Sequence, residues 1–261
     1  MGVNFHVEKS WLPETYRTLP LRPTKYGCSA SVYYLGENYL LKILSPGKSF
    51  TEELTLGKYL QHLPVSRPLE QFTLAGRKAA VYYRLEGTHP TVPSAAQIEN
   101  IGTFLSALHK STIPPLALSS HYHRKSLSEK IKQSGYAPFQ KHYLKLQNIP
   151  LSPKTLIHGD LFRDNTLFKG ERLIGVIDWS DAGWGDWRFE LGVVALDWCF
   201  QGNKLDSKKL SALLKGYQKD NITAEQLRPY ISYALLYYAV TRYLSHKNYL
   251  ELLEKLESLH A

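Results

Sequence analysis

The sequence contains only two cysteines, Cys28 and Cys199, among its 261 residues. Neither stands at a spacing typical of a metal site or a redox pair, which indicates a reducing compartment and predicts a cytoplasmic protein. Long apolar runs are also missing: the longest, Ile231 to Val240, contains three tyrosines and is too short to span a bilayer. The first residues contain no apolar signal segment. We therefore expect no membrane partner.

Acidic residues are the scarcer charges, with 23 Asp plus Glu against 32 Lys plus Arg and a net charge of +9. A basic protein could bind nucleic acid or a phosphate-rich ligand. The excess is local, however: residues 110–154 hold eight basic residues and one acid, whereas residues 178–197 hold five acids and one base. Because a basic segment is followed by an acidic one, we expect no continuous nucleic-acid groove.

One charged residue interrupts an otherwise apolar stretch near the start of the chain. Tyr39 to Leu44 is apolar except for Lys42, and a charge inside a buried strand is costly unless it is paired. The surrounding pattern predicts strand, turn and strand over residues 26–44, a helix over 49–63 and a further strand over 78–85.

The remainder of the chain has mainly helical patterns. Ser94 and Gln97 stand at the spacing of a capping box and begin an amphipathic helix. Two short strands are predicted around 166–168 and 173–177, and the chain from Phe189 on is predicted to be mostly helical, with a last amphipathic helix after Tyr249.

This order of elements predicts two lobes. The first, residues 1–84, is small and built on a sheet, and the second, residues 85–261, is larger and helical. Glu86 to Pro90 breaks both patterns, so we place an interlobe hinge near residues 84–90.

The polar residues that suggest chemistry lie between Leu156 and Trp179. Asp160 and Asn165 are five residues apart on a predicted loop, and Asp178 ends a strand thirteen residues later. A hairpin between them would bring three oxygen-bearing side chains together. Phosphoryl transfer from ATP requires such a set, because magnesium takes hard oxygen ligands and the attacking hydroxyl must give its proton to a base.

His-x-Asp, then Asn five residues after the Asp, and Ile-Asp-Trp after a hairpin resemble the aminoglycoside phosphotransferase and choline kinase superfamily. The resemblance implies an α+β, bilobal, protein-kinase-like fold, with a small antiparallel-sheet N-lobe, a mainly helical C-lobe and ATP in the cleft. It implies that Asp160 is the catalytic base and that Asn165 and Asp178 hold Mg²⁺. The implied activity is transfer of the γ-phosphate of ATP to a hydroxyl group of a small molecule.

The resemblance covers about residues 25–200 and implies further roles. Lys42 would match the strand lysine on the ATP phosphates, with Glu53, or the adjacent Glu52, as its helical partner. Further nucleotide contacts are assigned to Gly27, Ser29, Arg84 and Glu86. Arg163 is assigned to catalysis as a residue that neutralises phosphate, and an ion pair with Asp164 or a surface role is the alternative.

Tryptophan and acidic residues alternate after Asp178. One interpretation is an aromatic, acidic pocket for a cationic amine, because cations bind aromatic faces. Its predicted substrate contacts are Trp179, Asp181, Trp184 and Asp186. The other interpretation is that the rings form the core of the larger lobe, which we favour for Trp198.

The acceptor is predicted from finer resemblances. Residues 158–165 together with 196–199 are similar to bacterial homoserine kinases of this fold, so homoserine is the first predicted acceptor. Residues 179–183 resemble choline- and thiamine-kinase-like members equally well, and an aminoglycoside or another amino alcohol is a further alternative. Two positions depart from the family pattern: Glu190 replaces the usual Asp, and the loop over residues 26–31 has a single glycine, Gly27, which disfavours protein-kinase activity.

Two other classes of function are compatible with the sequence. A catalytically dead kinase fold could bind a partner, but no metal or base residue is replaced here. A basic nucleic-acid binder would expose aromatic rings between basic residues, for which Tyr122, Tyr136 and Tyr143 are the candidates.

Overall fold

The computed structural model describes residues 5–24, 30–112, 118, 122–218 and 221–260. They form two compact units, the first comprising Met1–Gly87 with Gly175–Ser180 and the second Thr88–Ile174 with Asp181–Ala261. The division after Gly87 lies inside the predicted hinge, but the return of 175–180 to the first unit was not predicted. Among the described helices, none is long and apolar enough to cross a membrane.

The first unit is built on an antiparallel sheet of five strands in the order β1-β2-β3-β5-β4. The strands are β1 Leu21–Pro23, β2 Ala30–Leu35, β3 Tyr39–Leu44, β4 Pro68–Leu74 and β5 Arg77–Tyr83, and helix α1 spans Thr51–Tyr59 between β3 and β4. The predicted strands correspond to β2, β3 and β5. The helix is shorter than predicted, and β1 and β4 were missed because their exposed residues leave little apolar pattern.

Alternation along β3 decides where its lysine points. Leu41 and Ile43 face a buried cluster that includes Leu12 and Tyr16 from the N-terminal segment. Residues of the other parity face a second cluster, in which Leu44, Ala80 and Tyr82 pack with Phe50 at the start of α1. Because side chains alternate along a strand, Lys42 lies on the face that α1 covers.

The second unit is mainly helical. Its elements are α2 Ala95–Lys110, α3 Arg124–Ser134, α4 Ala137–Leu146, β6 Thr155–Ile157, β7 Thr166–Lys169, β8 Arg172–Val176, β9 Gly183–Gly185, α5 Trp187–Trp198, β10 Phe200–Gln201, β11 Lys204–Leu205, α6 Ser207–Tyr217, α7 Ala224–Leu244 and α8 Leu250–Ser258, with β8 ending in the first unit. The predicted capping box of α2 and the predicted last helix after Tyr249 are confirmed.

The core of the second unit is centred on α5, most of which is buried, packed against α7. A neighbouring helix pair, α2 and α6, crosses at two glycines: a Cβ at Gly216 would lie 2.0 Å from the carbonyl oxygen of Glu99. The two backbones approach so closely there that only glycine fits. Strand β6 pairs with β9 antiparallel, and this pair places the loop after β6 beside the start of α5.

Candidate active site

Lys42 in the first unit is held by two carboxylates. Its Nζ donates to Glu53 Oε1 at 2.7 Å and to Asp178 Oδ1 at 3.1 Å. Glu53 on α1 is buried, and its other oxygen accepts from the Tyr82 hydroxyl at 2.5 Å. Glu53, rather than Glu52, is therefore the helical partner, and Tyr82 is a member that sequence reasoning missed.

These contacts set the charge of the group. Burial works to lower the pKa of Lys42, but the carboxylates of Glu53 and Asp178 outweigh it, so the net shift is upward. Burial and the charge of Glu53 raise the pKa of Tyr82. The first unit therefore presents a fixed ammonium group and a neutral phenol beside the carboxylate of Asp178, which is an arrangement suited to polyphosphate.

Asp178 follows β8 in a left-handed conformation, with φ of 60°. Its Oδ1 also accepts from the Ser180 hydroxyl at 3.0 Å. Asp is among the few residues with a side chain that adopt this conformation readily. The side chain is 33% exposed, so the carboxylate is not enclosed by the fold.

In the second unit, the loop after β6 carries Asp160. Gly159 has φ of +82°, and a Cβ there would lie 2.4 Å from the Tyr122 hydroxyl and 2.6 Å from the Asp181 carbonyl oxygen. Only glycine fits this position without displacing its neighbours. The carbonyl oxygen of Gly159 accepts from the Tyr238 hydroxyl, so the residue preceding Asp160 is fixed from both sides.

Asn165 orients the Asp160 side chain. Its Nδ2 donates to the Asp160 carbonyl oxygen at 2.7 Å and to Asp160 Oδ2 at 3.1 Å. In this orientation of the Asn165 amide, the nitrogen is used within the loop and the oxygen Oδ1 is left for another partner. The spacing of five residues between Asp160 and Asn165 therefore allows the two residues to form hydrogen bonds within one short loop.

Glu190 on α5 anchors the backbone of the same loop. It is fully buried on α5, and its carboxylate accepts from the backbone nitrogens of His158 at 3.0 Å and Gly159 at 2.8 Å. His109 Nε2 lies 3.0 Å from Glu190 Oε2, and its Nδ1 lies 2.7 Å from the Tyr217 hydroxyl. One neutral imidazole tautomer satisfies both contacts, with Nε2 as donor and Nδ1 as acceptor. Glu190, which replaces the Asp that is usual in the family, therefore has a structural role: its carboxylate holds the loop and His109.

We expect Glu190→Gln to lower the free energy of unfolding by about 1–3 kcal/mol, because the amide cannot accept from all three donors and leaves at least one buried group unsatisfied. Urea denaturation measures the change. The matched control is Glu99→Gln, which removes an exposed ion pair with Lys215 and should cost no more than about 1 kcal/mol. Equal losses in the two variants would contradict the anchoring role.

Arg163 has a different partner from the one considered above. Its guanidinium is paired with Asp197 on α5, Nη2 to Oδ1 at 3.0 Å and Nε to Oδ2 at 3.1 Å, and Nη1 donates to the Thr91 carbonyl oxygen at 2.6 Å. The alternative of an ion pair with Asp164 is therefore wrong. A bidentate pair of this kind restrains the guanidinium, so Arg163 stabilises the loop, and its phosphate-neutralising role stays a prediction.

The structure corrects part of the predicted amine pocket. Trp179 is 2% exposed, and its indole nitrogen donates to the Val176 carbonyl oxygen, so its ring belongs to the core. Asp186 is buried, caps α5 and is ion-paired with Arg188 at 2.6 Å, so its carboxylate is used by the fold. Asp181 is exposed and Trp184 is partly exposed on β9, and only these two remain candidates for substrate contact.

Aromatic side chains that the sequence analysis did not assign lie near Asp160. The ring centroids of Tyr122 and Tyr237 are 5.3 Å apart, and those of Phe162 and Tyr238 are 4.9 Å apart. Burial raises the pKa of Tyr122 and of Tyr238, and the charges of Asp160 and Asp181 add to both shifts. Neutral phenol rings therefore stand beside two carboxylates. Tyr122 is buried, which removes it as an exposed stacking platform for nucleic acid.

The remaining predicted nucleotide residues are less informative. The Arg84 guanidinium lies 4.8 Å from the centroid of Tyr34 and donates to the Glu37 carbonyl oxygen, so it packs on the sheet. Glu86 is exposed. Gly27 and Ser29 lie outside the described residues. All four assignments stay predictions.

Comparison with known proteins gives the family context. Residues 21–230 match the model of the family described as "Phosphotransferase enzyme family". A homoserine kinase of Zymomonas mobilis is 30% identical over 249 residues, which is 83% of this chain and 77% of that protein. A homoserine kinase of a Janthinobacterium species is 28% identical over 166 residues, covering 55% of this chain. The chain spans about half the length of several such curated relatives.

Solved structures share the fold over nearly the whole chain. Aminoglycoside 2'-phosphotransferase-IIIa, solved as a GDP complex, has a TM-score of 0.71 at 14% identity and covers 93% of both chains. The ADP-bound aminoglycoside phosphotransferase APH(2'')-Ib has a TM-score of 0.62 at 18% identity, covering 93% of this chain and 92% of that one. The choline kinase LicA from Streptococcus pneumoniae has a TM-score of 0.64 at 16% identity and covers 93% of both chains. The predicted protein-kinase-like fold is confirmed.

Proposed function

The chain belongs to the phosphotransferase enzyme family, and we propose that it is a kinase that transfers the γ-phosphoryl group of ATP to a hydroxyl group of a small amino alcohol. The observation that carries this proposal is the loop around Asp160. Its carboxylate is oriented by Asn165, and its backbone is anchored by Glu190 and Tyr238. A carboxylate fixed in this way is suited to accept a proton from an alcohol.

In the proposed reaction, the hydroxyl oxygen of the acceptor attacks the γ-phosphorus. Asp160 accepts the proton that this hydroxyl group loses. The bond between the γ-phosphorus and the bridging oxygen breaks, and ADP leaves with that oxygen. In the first unit, the fixed ammonium group of Lys42 would contact the nucleotide phosphates. Lys42 Nζ donates to Glu53 Oε1 at 2.7 Å, and the Tyr82 hydroxyl in turn donates to Glu53 Oε2 at 2.5 Å, which holds the carboxylate in place.

The donor set fits magnesium, because Asp178 offers an accessible carboxylate and Asn165 an amide oxygen, both hard ligands. Among the described residues no group of three or more His, Cys, Asp or Glu is placed to hold a metal ion. Bound magnesium would neutralise charge on the phosphoryl oxygens during transfer. We therefore propose Asp178 and Asn165 as magnesium ligands.

The acceptor is proposed from the side chains near Asp160. The exposed carboxylate of Asp181 and the partly exposed rings of Tyr238 and Trp184 favour a cationic amine, since cations are attracted to ring faces and to carboxylates. Homoserine is the first candidate, because relatives of that name match over much of the chain. Choline, thiamine and aminoglycosides also carry a cation and a hydroxyl group and form the comparison set.

The test is turnover of ATP with a panel of alcohols that differ in charge. We expect alcohols that carry an amine to exceed neutral sugars by about 2- to 30-fold in kcat/KM, which corresponds to about 0.5–2 kcal/mol of cation–aromatic attraction. Asp181→Asn should reduce that preference. Asp164→Asn should not, because Asp164 is an exposed residue of the loop. A preference for neutral sugars would exclude the amine site but not the kinase. Absence of turnover with every acceptor would favour a binding protein with a dead kinase fold.

A further inference from the structure

Two carboxylates of the second unit lie within electrostatic reach of the same two phenol groups. Burial raises the pKa of Tyr122 and of Tyr238, and the charges of Asp160 and Asp181 raise both pKa values further. The Asp181 side chain is exposed, and that of Asp160 is partly exposed. The proposed base and the proposed amine contact are therefore neighbours in space, although they are far apart along the chain.

Tyr122, which lies just before α3, connects the backbone segments that carry these two carboxylates. Its hydroxyl group donates to the Asp181 carbonyl oxygen at 3.3 Å. The same ring lies against Gly159, the residue that precedes Asp160. A Cβ at Gly159 would lie 2.7 Å from Tyr122 Cε2 and 2.6 Å from the Asp181 carbonyl oxygen. One phenol group thus holds the backbone of Asp181 against the backbone of the loop.

The core of the second unit fixes the Tyr122 ring. Its centroid lies 5.0 Å from that of Phe189 on α5 and 5.3 Å from that of Tyr237 on α7, and all three residues are buried. Because burial raises its pKa, the Tyr122 phenol stays neutral and keeps the proton that it donates. The Asp181 backbone is therefore held by a side chain that the core keeps in place.

We propose that Tyr122 is a positioning residue that selects the acceptor by the length of the chain between its hydroxyl group and its amine. The inference rests on the proposed function, in which Asp160 meets the hydroxyl group and Asp181 meets the amine. An acceptor reaches both carboxylates only if its length matches their separation, and Tyr122 fixes that separation through the Asp181 carbonyl oxygen. A misplacement of about 1 Å can cost about 10²-fold in rate, so the difference of a single carbon is large enough to measure.

The substrate class is therefore an amino alcohol of one preferred length. Straight-chain ethanolamine, propanolamine, butanolamine and pentanolamine differ only in this length and form the probe set. Propanolamine shares the spacing between oxygen and nitrogen of homoserine, and ethanolamine shares that of choline. The preferred length thus also separates these two candidate acceptors.

The experiment compares kcat/KM across the probe set for the whole chain with ATP and magnesium. We expect the unchanged protein to prefer one length over its neighbours by about tenfold or more. Tyr122→Phe should lower that ratio by about threefold or more, the weight of one hydrogen bond, because the Asp181 backbone loses the hydroxyl group that holds it. The KM for ATP should stay the same, because this positioning role acts on the acceptor alone.

Tyr230→Phe is the matched control. It also removes a buried phenol hydroxyl that donates to a backbone carbonyl oxygen, that of Pro150 at 2.9 Å. It should lower the melting temperature to a similar extent as Tyr122→Phe and leave the length preference unchanged. Asp181→Asn should weaken the length preference by itself, and adding Tyr122→Phe to it should change the preference no further, because Tyr122 acts through Asp181.

Failure of this inference and failure of the proposed function give different results. Absence of turnover with every alcohol in the unchanged protein would overturn both. Turnover of other alcohols but of none in the probe set, turnover without a preferred length, or a preference that Tyr122→Phe leaves unchanged would overturn the positioning role alone. An equal loss of preference in Tyr122→Phe and Tyr230→Phe would also overturn it, because a general loosening of the fold would then be the cause.

Discussion

Replacing Asp160 with Asn is expected to lower kcat by about 10²–10⁴-fold, which is the range of single general-base contributions. The amide keeps the size of the carboxylate and can still meet Asn165, but it cannot take the proton of the acceptor hydroxyl. An alcohol is a poor nucleophile until that proton has a base to move to. Steady-state turnover with the best acceptor from the panel gives the measurement.

Nucleotide binding separates the base from other roles. Lys42, Asn165 and Asp178 are unchanged in this variant, so titration of ATP in the presence of magnesium should give nearly the normal affinity. Asp164→Asn is the matched control, because Asp164 is exposed on the same loop and should leave both quantities unchanged. If ATP binding disappears along with turnover, then Asp160 holds the nucleotide or the loop rather than serving as base.

The site residues that could be predicted from the sequence are of two kinds. Some have their partner only a few residues away, and others carry a charge inside an apolar segment. Asp160 and Asn165 are close enough along the chain that a short loop closes between them. Lys42 is predictable because a lysine in an apolar strand needs a partner, and its two partners in the structure are carboxylates.

The residues that were missed reach the site from distant parts of the chain. Tyr82 and Tyr238 were not predictable, since a tyrosine in an apolar segment is typical of a core. Glu190 did carry a signal of the same kind as Lys42, because it is a charged residue inside the apolar helix α5. A buried charge requires paired groups, and the same argument applied to Glu190 would have predicted its anchoring role.

The aromatic and acidic stretch after Asp178 shows where such reasoning fails. Tryptophan serves equally well in a core and in a cation pocket, and Asp serves equally well as a helix cap and as a ligand. Asp186 directly precedes α5 and accepts from the Arg188 backbone nitrogen at 2.9 Å, which is the contact expected of an N-cap. The start of α5 was predicted two residues late, so this cap was not recognised.

Asp178→Asn is expected to lower kcat/KM by at least about 10²–10³-fold, the cost of losing one contact that stabilises charge in a transition state. Asn is the informative substitution because it tolerates the left-handed backbone of this position, where φ is 60°. Alanine would add backbone strain of about 1 kcal/mol or more to the functional effect. Glu53 remains as the partner of Lys42, so the free energy of unfolding should change by no more than about 1 kcal/mol.

The magnesium dependence of turnover tests the role of Asp178 directly. The half-saturating magnesium concentration should rise in Asp178→Asn, because the amide oxygen is a weaker ligand than a carboxylate. Ser180→Ala is the graded control: it removes only the hydroxyl group that donates to Asp178 Oδ1 at 3.0 Å, and loss of such an outer contact typically costs about 10- to 100-fold in metal affinity or activity. We therefore expect its defect to be smaller than that of Asp178→Asn. A folded Asp178→Asn protein with near-normal turnover at ordinary magnesium concentrations would show that Asp178 pairs with Lys42 for structural reasons alone and holds no metal.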